Sequence, residues 1–142
     1  MANNQNSSTT EEPKDFVTVE NSEYKIWWDE KEGILRGQII GDQDEESAKR
    51  ILEKSDKLTA SLNGRGIKVV NSLYDMSRAG TASSKARKIF AESFKKSTSS
   101  KTALFGGGVV QRTIAKFIFI FSGVKNMRYF DTEDEAVRWL KE

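Results

Sequence analysis

The chain has 142 residues, 31% of them charged and 37% hydrophobic, with a net charge of +2 and neither cysteine nor histidine. That length suits one domain able to bury its own core. The two missing residue types exclude disulfides, Cys/His zinc sites and nucleophilic catalysis of the Ser-His or Cys-His kind.

Residues 1–14 are rich in Asn, Ser, Thr and Glu and lack the apolar content to fold. They are expected to form a disordered tail ahead of a domain spanning residues 15–142. The start carries no apolar or basic leader, and the longest apolar run, Phe117 to Phe121, is far short of the roughly 20 residues of a spanning helix. No transmembrane segment and a cytoplasmic location are therefore expected.

Phe16-Val17-Thr18-Val19 alternates and suits a short edge strand. Residues 23–28 and 34–40 alternate as well, and a polar turn with Gly33 joins them, which predicts a hairpin with Tyr24, Ile26 and Trp28 on its inner face. Trp27 falls on the opposite face from Trp28, so one of the two is expected at an edge or interface. Asp42 with Glu45 resembles a capping box, and Ala48, Ile51, Leu52, Ser55, Leu58 and Leu62 form the stripe of a helix that Gly64 ends in the left-handed conformation.

Residues 67–77 read as a central strand covered on both faces. It delivers a polar turn, residues 75–84, to a helix that Thr81 or Ser83 caps. In that helix Ala86, Ile89, Phe90, Ser93 and Phe94 face the core, with Lys85, Arg87, Lys88, Lys95 and Lys96 outside. A strand at 101–105 leads through Gly106, Gly107 and Gly108 into a helix over 109–121 with Val110, Ile114, Phe117, Ile118 and Phe121 on one face. Phe119, on the opposite side, is either covered by a neighbouring element or exposed at a contact surface. A strand over 117–121 is the competing reading, and the upstream spacing favours the helix. A last strand, 126–130, precedes a short helix capped by Thr132 with Glu135 and packed through Ala136, Val137, Trp139 and Leu140. Strands joined through helices must run parallel. The fold class is thus a single-domain α/β mixed sheet, mostly parallel with one antiparallel hairpin strand, flanked by about four helices.

The acidic runs at 42–46 and 131–135 match no calcium-loop spacing, so no metal and no cofactor is expected. Between Arg65 and Arg128 thirteen Lys and Arg face two acids, a net +11 that leaves −9 for the rest. Either basic and acidic solvated faces offset one another, or the middle of the chain builds an anion-facing surface. It carries no nucleic-acid recognition motif. Asp75 and Glu92 are its only acids, which leaves no acid and base pair for catalysis, and Tyr74 with Asp75 is only a formal candidate.

The ending Arg128-Tyr129-Phe130-Asp131-x-x-x-Glu135-Ala136-x-x-Trp139-Leu140, together with Tyr74-Asp75-Met76-Ser77-Arg78, resembles the SpoIIAA-like relatives of STAS domains, also described as STAS/SEC14-like. The resemblance spans roughly residues 24–141 and implies a non-enzymatic regulatory or interaction module. It implies a protein partner held through Asp75, Ser77, Arg78, Ser83, Ser84, Lys85 and Lys88. It also points to Ser83 or Ser84 as a phosphorylation site, although Ala82 and Lys85 stand where the family's phosphoserine turn has Asp and Gly. The alternative is a small-molecule, lipid or anion-binding module. Gly106, Gly107, Gly108 and Arg112 would meet an anion there, and Phe105, Phe117, Phe121 and Tyr129 would line an apolar pocket. A homo-oligomer through an exposed Trp27 or Phe119 is a further expectation.

Overall fold

The computed structural model describes residues 23–96, 100–123 and 125–142. The expected tail and edge strand at the start, and most of the loop after the basic helix, lie outside them. Strands β1 (Tyr24–Asp29) and β2 (Ile34–Ile39) form the hairpin, followed by a short β3 (Gly41–Gln43) and helix α1 (Glu45–Gly64). Then come β4 (Ser72–Asp75), a second short strand β5 (Ala79–Ala82), α2 (Ser84–Lys95), β6 (Thr102–Phe105), α3 (Val109–Ser122), β7 (Met127–Phe130) and α4 (Glu133–Leu140).

The main sheet has the order β1-β2-β4-β6-β7, with β1 antiparallel to β2 and every other pair parallel. Side chains alternate across it. Tyr24, Ile26, Trp28, Leu35 and Ile39 pack with Ile51, Leu58 and Leu62 of α1, and Leu104 and Met127 pack with Ala115 of α3 on the same face. Ile34, Leu73 and Ala103 face the other way, onto Ala136 and Leu140 of α4. Three helices thus cover one face and one short helix the other. Trp28 is buried, whereas Trp27 is half-buried on the α4 side with the Lys25 ammonium 5.2 Å from its ring centroid.

Several local expectations are corrected. Asp44, not Asp42, caps α1: its carboxylate accepts from the Ser47 amide at 2.9 Å, and the Ser47 hydroxyl accepts from the Asp44 amide. Gly64 is the last helical residue, and Gly66 takes the left-handed conformation (φ 91°). The central strand is shorter than residues 67–77. The Ile67 amide donates to the Leu62 carbonyl and the Asn63 amide group to the Ile67 carbonyl, so this stretch closes the end of α1 and leaves Val69 half exposed.

In α3 the helical reading holds, but the buried residues are Ala115, Ile118 and Ser122. Val110, Phe117 and Phe121, expected in the core, are about half exposed, while Phe119 is half-buried against the Leu104 and Met127 cluster. Ala115 packs with Leu104 and Met127, so the opposite side of α3, which carries Val109 and Ile120, turns outward. Among the described residues no helix is long and apolar enough to cross a membrane.

The hairpin is tied to α4 by Arg36, whose guanidinium donates to Asp29 at 2.7 Å and to Glu133 at 2.6 Å. Burial pushes the Asp29 carboxyl up, but the Glu32 amide and Arg36 outweigh it and hold the group below its ordinary value. A depressed carboxyl stabilises the fold above the unfolded pKa and loses that contribution as pH falls through the folded one. Denaturant midpoints should be level from neutral pH to about pH 5 and fall below about pH 4. Asp29→Asn should lower the neutral midpoint and shallow the acid fall; an unchanged pH profile in that variant would show that Asp29 contributes nothing.

Candidate functional site

The parallel strands end on one rim of the sheet, where open α/β sheets usually take their ligands. Residues 75–84, expected as a plain turn, contain β5, which pairs in parallel with β3 as a separate two-stranded ribbon. The Gly41 amide donates to the Arg78 carbonyl (2.8 Å) and the Ser83 amide to the Gln43 carbonyl (3.0 Å). Asp42 Oδ1 accepts from the Thr81 amide (2.8 Å) and hydroxyl (3.2 Å), which is why it is not free to cap α1. From the other side, Gln111 of α3 donates to the Ala79 carbonyl at 2.8 Å. Asp42, Gln43 and Gln111 therefore shape the site; the sequence pointed to Asp42 only as a helix cap and to neither glutamine, because a side chain such as that of Asp42 or Gln111, pairing across more than 30 residues, leaves no local signal.

Asp75 is committed to structure. Its Oδ1 accepts from the Ser77 amide at 2.9 Å and its Oδ2 from Gln38 Nε2 at 3.1 Å. Neighbouring Tyr74 lies in the core, where burial pushes its hydroxyl pKa up. Ser77, Arg78, Ser83, Ser84, Lys85 and Lys88 are all exposed. Of the two candidate caps Ser83 is the one used: its Oγ accepts from the Ala86 amide at 3.1 Å at the N-terminus of α2. Lys85 approaches Glu45 of α1 at 3.8 Å. Arg87, expected outside, turns inward instead, donating to the Ala82 carbonyl at 2.6 Å with its guanidinium 5.1 Å over the Phe117 ring.

The glycine corner is a tight connection. Gly106 and Gly107 are both left-handed (φ 82° and 74°), and a Cβ on Gly107 would lie 2.9 Å from the Met76 carbonyl oxygen. The Gly108 amide already donates to Gln111 Oε1 at 2.8 Å, and the Gly106 carbonyl accepts from the Tyr129 hydroxyl. Arg112 is paired with Asp131 and lies 4.7 Å over the Tyr129 ring. The four aromatics proposed to line a pocket do not share a wall: Phe105 packs on the α4 side, Tyr129 on the α3 side, and Phe117 and Phe121 face solvent. An apolar cavity of about 80 Å³ does lie under the ribbon, between Tyr74, Met76, Phe90, Phe94, Leu104 and Ile118. Among the described residues no cluster of three or more acids could hold a metal ion.

This mixed sheet, with three helices on one face and one on the other, is a SpoIIAA-like fold. An uncharacterized protein of the DUF3478 family from Shewanella loihica PV-4, described as having that fold, superposes with a TM-score of 0.55 at 17% identity, covering 82% of this chain and 91% of its own. The anti-sigma factor antagonist SpoIIAA in its unphosphorylated form gives a TM-score of 0.54 at 12% identity, over 83% of this chain and 97% of its own. The model of a domain of unknown function, DUF7793, matches residues 27–142, and the chain belongs to that family. No curated protein matches the sequence.

Proposed function

We propose that the protein is a non-enzymatic regulatory module that binds a protein partner through the ribbon strand β5 and the start of α2. One observation carries this reading. A row of exposed polar and basic side chains, Ser77, Arg78, Ser83, Ser84, Lys85 and Lys88, stands on a backbone whose hydrogen bonds run inward to β3 and α3. Such a surface is preorganised, so little conformational entropy is lost when a partner docks on it. Its basic charge favours a partner with an acidic face and speeds encounter. The SpoIIAA-like fold agrees with the reading because the solved anti-sigma factor antagonist is itself a regulator by its description.

Phosphorylation of Ser83 or Ser84 is the switch this reading allows. Both are exposed at the N-terminus of α2, where the helix dipole favours negative charge and Lys85 and Lys88 follow. The test uses the full chain as bait in native extract, quantified against a bait carrying Arg78→Glu and Lys85→Glu and a control carrying Lys57→Glu on the exposed side of α1. A partner retained by the wild type and the control should be lost from the double variant. Equal retention by all three baits would remove the surface from consideration.

A further inference from the structure

Five of the six large apolar side chains exposed among the described residues lie on α3: Val109, Val110, Phe117, Ile120 and Phe121. With about 100° between successive helical residues, Val109, Thr113 and Ile120 point away from the sheet, and Val109 and Ile120 are 81% and 73% exposed. Phe117 and Phe121 flank this line on the α2 side, their rings stacked at 5.8 Å with the Arg87 guanidinium over Phe117. Arg112 and Lys116 flank it on the other side, and both are exposed. The helix contains no acid. A contiguous apolar face of this kind marks a contact surface.

We propose that α3 lies in the headgroup region of an anionic bilayer, with Ile120, Phe117, Phe121 and Val109 inserted below the phosphates and Arg112 and Lys116 paired to them. Two observations select this occupant. The exposed charges beside the apolar line, Arg112 and Lys116, are basic and the helix carries no acid, so an anionic lipid surface complements it. Apolar insertion and basic contacts are, in addition, the two signals that stable interfacial attachment requires together. Arg112 already pairs with Asp131, so Lys116 is the cleaner probe of the basic half.

The proposal is independent of the partner surface on β5 and α2. Flotation of the full chain with vesicles of phosphatidylcholine alone, and with equal parts phosphatidylcholine and phosphatidylglycerol, tests it. The chain should float with the mixed vesicles only, and less as salt rises. Ile120→Asp and Lys116→Glu should each weaken binding about tenfold or more, with thermal unfolding unchanged because both side chains are exposed, while Lys57→Glu on the exposed side of α1 should leave vesicle binding intact. Absence of binding to the mixed vesicles would overturn the proposal, as would equal binding to both kinds or wild-type affinity in Ile120→Asp. Self-association in solution that Ile120→Asp abolishes, without vesicle binding, would also overturn it and assign the face to a second copy.

Discussion

Gly37→Val is expected to cost about 3 kcal/mol of folding stability, at the upper end for overpacking a core, and a large share of the total stability of a domain this size. Gly37 is buried in β2 directly opposite Tyr74 of β4, and a Cβ there would lie 2.5 Å from both Cδ1 and Cε1 of the tyrosine ring. The ring has nowhere cheap to go, because Tyr74 packs against both the cluster under α1 and the cluster under α3. Moving it therefore disturbs the whole three-helix face. Denaturant unfolding in a double-mutant cycle checks the cause. Tyr74→Ala alone leaves a cavity and costs stability in its own right, but Gly37→Val should add little in that background. An equal cost in both backgrounds would place the clash elsewhere.

Tyr74 also shows what local pattern can and cannot report. Tyr24, Ile26 and Trp28 were legible as the inner face of β1 because a strand repeats every two residues and its burial follows that parity. Ala48, Ile51, Leu58 and Leu62 of α1, and Ala136 and Leu140 of α4, were legible for the corresponding helical reason. Both helices carry charge opposite their apolar stripe, so only one face can turn inward. Helix α3 has no such contrast. Almost any face of Val-Val-Gln-Arg-Thr-Ile-Ala-Lys-Phe-Ile-Phe-Ile-Phe can be drawn as apolar, and counting bulk favoured the phenylalanines. The rotation that the fold adopts puts Ala115, Ile118 and Ser122 inside, with Ala115 against Leu104 and Met127.

The ribbon was illegible for a different reason. Gly41-Asp42-Gln43 and Ala79-Gly80-Thr81-Ala82 have no apolar alternation, and their pairing rests on backbone groups plus one aspartate. The rim's exposed residues could be placed from sequence because they follow a recognisable strand and precede a capped helix. The framework that holds them could not, because Asp42 and Gln111 meet the ribbon only in three dimensions. The same gap explains the misassigned cap of α1. Asp42 and Asp44 are two residues apart and both acceptable, and the choice was made by Thr81.

That framework yields the second large effect. Gly80→Val should abolish partner capture while costing only about 2 kcal/mol of stability, within the usual range for a local packing change. A Cβ on Gly80 would sit 2.1 Å from Asp42 Oδ1, 3.0 Å from the Gly41 carbonyl carbon and 3.1 Å from the Asp42 nitrogen. The carboxylate can swing away, but only by giving up both bonds to Thr81, and the backbone atoms of β3 cannot yield without opening the ribbon. The main sheet lies apart from this pair of strands, so the core should survive. The Ser83 amide, which leads into α2, loses its tie to Gln43 as the strands part, and the exposed row from Ser77 to Lys88 loses its fixed geometry. Gly80→Ala should give the same loss in milder form, and adding Asp42→Ala should restore part of it by removing the nearest of the three contacts. Full capture by a folded Gly80→Val protein would show that the partner does not read the ribbon, whereas loss of capture with a cooperative melt lowered by no more than that cost would locate recognition on β5 and the start of α2.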